Sequence, residues 1–132
     1  MSPELKTKYQ ISFQNKVLNF EMEGKEVYKI INTNNILIDG FFMDWKSEEI
    51  TDVILPDIEL ALNVEVEETE FESYDVTVVL YQDRALFVPD KDPNFNIPIL
   101  DFKEIAIAWR DFLLEPPLNG SSSSSTNSEL ID

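Results

Sequence analysis

The chain contains no cysteine and no histidine. Without cysteine there is no disulfide framework and no thiol nucleophile, which suits a reducing compartment. Without both residues zinc loses nearly all of its ordinary ligand sets, and the commonest acid–base and nucleophilic machinery is missing. Glycine is scarce, with three in 132 residues. No GxGxxG or P-loop spacing occurs, so a phosphate-cradling loop is not expected. No apolar run approaches the ~18 residues of a membrane span, and no run of signal-peptide type is present near residue 1. The expectation is a soluble cytoplasmic protein with no cofactor and no metal.

Positive charge is scarce too. Ten Lys and Arg face 26 Asp and Glu, a formal charge of −16. At physiological salt such a chain repels nucleic acid and anionic membranes and attracts basic partners. The acids are also unevenly placed. Residues 44–75 hold twelve of them against Lys46 alone, a local balance of −11. A charge serving only solubility would be spread more evenly.

What remains is rich in large side chains: nine Phe, four Tyr and two Trp, with 43% of residues hydrophobic. That composition supports a real core, and the length fits one domain. The order of elements predicts an α+β domain over residues 1–117, a mostly antiparallel sheet packed against a C-terminal amphipathic helix. Residues 118–132, with five serines in a row, read as a flexible tail.

Tyr9, Ile11 and Phe13, then Leu18, Phe20 and Met22, alternate with polar residues, which predicts a hairpin turning at Gln14–Asn15–Lys16. Gly24 offers a turn, and residues 26–31 read as a strand or a short helical turn. Thr33–Asn34–Asn35 is a turn, because Asn tolerates left-handed angles. Residues 36–45 read as extended, with a bulge or bend at Gly40. Ser47 is placed to cap a short helix that Pro56 ends. Ile58, Leu60, Leu62, Val64 and Val66 match period two and predict a half-buried strand with Glu59, Glu65 and Glu67 on its other face. Residues 68–72 read as a turn or a frayed region, 73–81 and 84–88 as strands joined at Gln82–Asp83, and 88–98 as a loop. The clearest helix follows, with Asp101 and Glu104 at capping-box spacing and Phe102, Ile105, Ala106, Trp109, Phe112 and Leu113 on one side, stopped by Pro116–Pro117.

Two chemical readings are outweighed by plainer ones. Glu65 and Glu67 on one strand face would stand ~7 Å apart, a spacing that could suit a glycosidase pair, but a solvated acidic face explains them better. Asp90, Asp92, Asn94 and Asn96 alternate like calcium ligands, yet Pro93 interrupts them and neither the central Gly nor the closing Glu of such a loop is present. Trp109 lies on the helix's apolar stripe and reads as core. Trp45 fits a rim as well as a core, and exposed Trp is a favoured interface anchor.

The segment IPILDFKEIAIAWRDFLLE, residues 97–115, resembles the closing segment of immunity proteins from bacterial polymorphic toxin and contact-dependent growth inhibition systems. The shared pattern is an Ile97–Pro98 lead into an amphipathic helix that ends on Trp109, Phe112 and Leu113. The resemblance implies a non-enzymatic inhibitor that binds a cognate toxin domain, often a basic nuclease, and blocks its active site or substrate groove. It carries over no binding residue. The acidic segment itself nominates the contacts: Asp57, Glu59, Glu65, Glu67, Glu68, Glu70 and Glu72, with Trp45 as anchor. Two other readings share the same surface: an adaptor or assembly subunit that pairs through an exposed edge strand, and a nucleic-acid mimic acting on another protein.

Overall fold

The computed structural model of the chain describes residues 1–20 and 24–116. Ser2 accepts the Leu5 amide and Pro3 takes the first helical position, starting α1 (Pro3–Tyr9). Strands β1 (Ser12–Phe20) and β2 (Gly24–Asn32) pair antiparallel from Ser12 opposite Asn32 to Phe20 opposite Gly24. The Asn35 side chain accepts the Leu37 amide at 2.8 Å and caps α2 (Ile36–Met43). Next comes an unbroken helical run of α3 (Ser47–Glu49), a π-helical turn (Ile50–Ile54) and α4 (Leu55–Leu62). Strands β3 (Thr69–Glu72), β4 (Val76–Leu80), β5 (Arg84–Pro89) and β6 (Phe95–Pro98) then form a four-stranded antiparallel sheet in chain order. Helix α5 (Ile99–Leu114) packs on this sheet, so the α+β class holds, with two antiparallel sheets rather than one.

Large aromatic side chains join these pieces. Phe41 of α2 lies 5.2 Å from the ring of Phe42, 6.1 Å from Phe87 of β5 and 5.7 Å from Phe102 of α5. Phe13 of β1 meets Trp109 at 5.5 Å and Phe112 at 5.3 Å. Trp109 is buried, as its place on the stripe predicts, and donates its indole N–H to the Phe42 carbonyl at 2.9 Å. The hairpin is fastened a second time through Lys29 of β2. Its ammonium donates to the Phe112 and Glu115 carbonyls, both at 2.6 Å, and lies over the Phe112 ring. A cation complements the exposed carbonyls at the end of α5, where that of Phe112 also accepts the Glu115 amide.

Several elements differ from the sequence expectation. Gln14, Asn15 and Lys16 lie inside β1, opposite Ile30, Lys29 and Tyr28. The switch of apolar residues from odd to even positions reads as a turn, but one long strand absorbs it. Residues 21–23, Met22 among them, and 118–132 lie outside the described residues; Gly24 begins β2. The strand expected at 36–45 is helix α2, and Gly40 lies in mid-helix rather than at a bulge. ILIDGFFM is a nearly continuous apolar run broken by Asp39 and Gly40, so periodicity cannot separate helix from strand there.

The strand expected at 58–67 is also absent. Ile58, Ala61 and Leu62 pack inward at helical spacing, whereas Leu60 is exposed. Pro56 does not end the helix. It follows the π turn, whose wider winding relieves the clash proline makes with the carbonyl one turn back. Residues 69–72 form β3 instead of a turn, and 95–98 form β6, with Phe95 opposite Phe87. Asp101 and Glu104 do not cap α5, which starts at Ile99 behind Pro98. They clamp the first residues instead: Asp101 accepts from the Tyr9 hydroxyl at 2.6 Å and from Lys8, and Glu104 accepts the Ser2 amide at 2.6 Å. Burial, and then the Asp101 carboxylate, push the Tyr9 hydroxyl well above its ordinary range.

Two residues are held at a cost. The Glu65 amide bonds the Leu60 carbonyl and the Val64 amide bonds that of Ala61, a Schellman closure of α4. The left-handed position of this motif usually takes Gly, but here Val64 occupies it at φ 58°. Asp39 of α2 is half-buried, with one carboxylate oxygen inside and unpartnered. Burial raises its carboxyl above the usual range, opposed in part by hydrogen bonding from Thr33.

Val64→Gly should therefore stabilise the protein by about 1 kcal/mol, read from denaturant midpoints at unchanged slope. For Asp39 the folded pKa is raised. Its favourable contribution is full below the unfolded-state value and lost as pH rises through the folded one. Asp39→Asn should raise Tm at pH 7, and the gain should shrink as the pH falls through the raised carboxyl. A Tm gain that is the same at every pH would show that charge burial is not its cause.

Candidate partner-binding surface

The nominated acids do not share one strand face, because the strand meant to carry them is a helix and a loop. Asp57 and Glu59 sit on α4, Glu65, Glu67 and Glu68 in the connection to β3, and Glu70 and Glu72 on β3 itself. Asp57 is half-buried, and Glu59 is exposed but already paired with Lys103 of α5. The remaining five are exposed. In β3 the side chains alternate: Phe71 is buried in the core, while Glu70 and Glu72 face outward.

The register extends that outer face across the sheet. Glu70 stands opposite Val79, which stands opposite Leu86, and Glu72 stands opposite Thr77, which stands opposite Val88. Two carboxylates thus border an apolar strip. Glu70 and Glu72 are ~7 Å apart along the strand. At that distance in water their repulsion is about 0.6 kcal/mol, and physiological salt reduces it further. Such a cost is easily carried by the fold, and it is removed when a cation arrives.

The ion pairs of the described residues leave this segment alone. Lys8 pairs with Asp101, Arg84 with Asp83, Lys103 with Glu59 and Arg110 with Asp111. None involves Glu65, Glu67, Glu68, Glu70, Glu72 or Asp75, and residues 63–75 contain no Lys or Arg. Among the described residues no group of three carboxylates converges as a metal site. The arrangement offers a binding electrostatic field; Glu65 and Glu67 lie exposed in a loop, with no cleft around them.

Trp45 is half-buried and packs on the core, 5.6 Å from Phe41 and 5.9 Å from Phe71. Its indole nitrogen is buried without a partner. It therefore backs the surface and does not project from it as an anchor. The projecting apolar residues are ones the sequence reading did not nominate. Tyr74, in the β3–β4 turn, is 88% exposed, and Val64 is 60% exposed beside Glu65. The Tyr74 amide donates to the Asp44 carboxylate at 2.9 Å, which ties this turn to the end of α2. The strand-like run SYDVTVVLY hid Tyr74. The Ser-Tyr-Asp triplet at its start is the local signal that a turn comes first.

No protein-family profile, no curated protein and no solved structure matches the chain.

Proposed function

We propose that this protein is an immunity-type inhibitor that binds one basic protein domain, a cognate toxin of nuclease type, and neutralises it in the cytoplasm. In this reading the chain does no chemistry of its own and takes no cofactor. The carrying observation is the exposed run from Glu65 to Asp75, six acids with no ion pair to the described residues and no basic residue among them. Its carboxylates stand where a nuclease would otherwise meet phosphates, and the field around them speeds encounter with a basic surface.

Edge-strand pairing, the basis of the adaptor reading, has less support in the four-stranded sheet. Its outer strands β3 and β6 are four residues each; one carries Glu70 and Glu72 and the other ends on Pro98. Short, charged or proline-bearing edges are poor templates for added strands.

The test is capture from the source organism's lysate at low and high salt, with wild type and with Glu65→Lys/Glu67→Lys. Wild type should retain one basic protein in near-equal amount and release it as salt rises. The double variant should bind that protein on the order of a hundredfold more weakly. Both sites are exposed loop positions, so Tm should stay close to wild type. Equal affinity of variant and wild type, insensitive to salt, would sink the acidic face and favour the adaptor.

A further inference from the structure

Helix α2 is apolar on two opposite faces, with the half-buried Asp39 between them. Ile38, Phe41 and Phe42 face the core and are fully buried. Ile36, Gly40 and Met43, spaced by four and three residues, form the opposite face, and Ile36 is 80% exposed. A surface helix normally turns charge outward, and an apolar outer face is normally covered. No element of the described chain covers this face. It is the floor of a groove of about 720 Å³, walled by the β3–β4 turn with Tyr74 and by the residues that follow β5.

Gly40 lies on that floor, and a Cβ built on it would meet nothing within 4 Å. Glycine in mid-helix costs stability against alanine, and here no packing of the chain itself requires it. The missing side chain leaves room for an outside group to approach the helix backbone. The rim is acidic: Asp44, Asp75, Asp90 and Asp92 against Lys91. The volume falls in the ~300–1,000 Å³ range of sites that seat a small molecule, which suits a short segment and not a folded face.

We propose that this groove is a docking site for a short cationic amphipathic segment of a partner protein. One or two apolar side chains sit over Gly40 between Ile36 and Met43, and flanking Lys or Arg side chains reach the rim aspartates. The inference deepens the basic-partner reading and rests on it, and its groove meets the acidic run only at Asp75, leaving Glu65 to Glu72 outside it. Residues 118–132 are a poor occupant, since they hold Glu129 and Asp132 and no basic residue.

The chain has three glycines, Gly24, Gly40 and Gly120. Selective ¹⁵N-glycine labelling of the full chain therefore gives three amide signals, one each for the hairpin, the groove and the tail. The probes are two eight-residue peptides, Gly-Lys-Lys-Leu-Phe-Lys-Lys-Gly and the same peptide with Ser-Ser in place of Leu-Phe. The Leu-Phe peptide should shift Gly40 and leave Gly24 in place, with affinity about tenfold or more above that of the Ser-Ser peptide. Gly40→Leu should fold with Tm no lower than wild type, and the Leu-Phe advantage should then vanish, read by titration calorimetry. Equal affinity of the two peptides, or no Gly40 shift, would overturn the groove. So would a Gly40 signal that moves on dilution, which marks a second copy, or a Gly120 signal that moves together with it, which marks the tail. Glu65→Lys/Glu67→Lys should leave the Gly40 response intact. Failure of lysate capture with an intact Gly40 titration would therefore count against the inhibitor and not against the groove.

Discussion

The bond from the Trp109 indole to the Phe42 carbonyl joins the two helices on which everything else is laid. Phe42 lies in the last turn of α2, and its carbonyl accepts both the indole N–H and, more weakly, the Trp45 amide at 3.4 Å. Burying the indole N–H unbonded would cost about 1–3 kcal/mol, and the carbonyl at the end of α2 removes that penalty. The bond also fixes the rotation of α5, and so which of its side chains meet Phe13 and which meet Phe87. With that rotation set, Phe102 faces α2 and β5, Asp101 and Glu104 face α1, and the final carbonyls face Lys29.

This arrangement explains the division of labour on α2. Its inner face holds Phe41, the ring around which Phe42, Trp45, Phe71, Phe87 and Phe102 gather. The packing demand is met by that face alone. The composition of the outer face is then free of the fold's requirements, and what stands there, an isoleucine, a glycine and a methionine, has to be accounted for by something other than packing.

The parts of the fold legible in sequence were those with an unambiguous period or a local turn signal. The stripe from Phe102 to Phe112, the Thr33–Asn35 turn and the Gln82–Asp83 link all appear as expected. The misread parts had patterns that serve two geometries. Ile58 and Leu62 are alternating residues of a strand and also one helical turn apart, and Pro56 tilts a reader toward the strand. Asp101 and Glu104 have the spacing of a cap, yet their partners, Tyr9 and Ser2, are about a hundred positions away in the chain. The same holds for the surface. Exposure of the acids followed from their density alone, whatever the backbone did. The groove is built from three segments that meet only after folding, so no window of sequence contains it.

The hairpin of β1 and β2 shares no ladder with the four-stranded sheet. Its ties to the remainder are side chains: Phe13 against Trp109 and Phe112, and Lys29 on the end of α5. Its own pairing runs well past those ties, to Phe20 and Gly24. A unit joined in this way can open without unzipping the sheet that carries Glu70 and Glu72. Amide exchange would then divide the molecule into two classes, with the hairpin's far end exchanging first and β4, β5 and α5 holding to global unfolding. Glu70 and Glu72 are laddered to the slow strand β4, so opening of the hairpin leaves their place on the sheet unchanged.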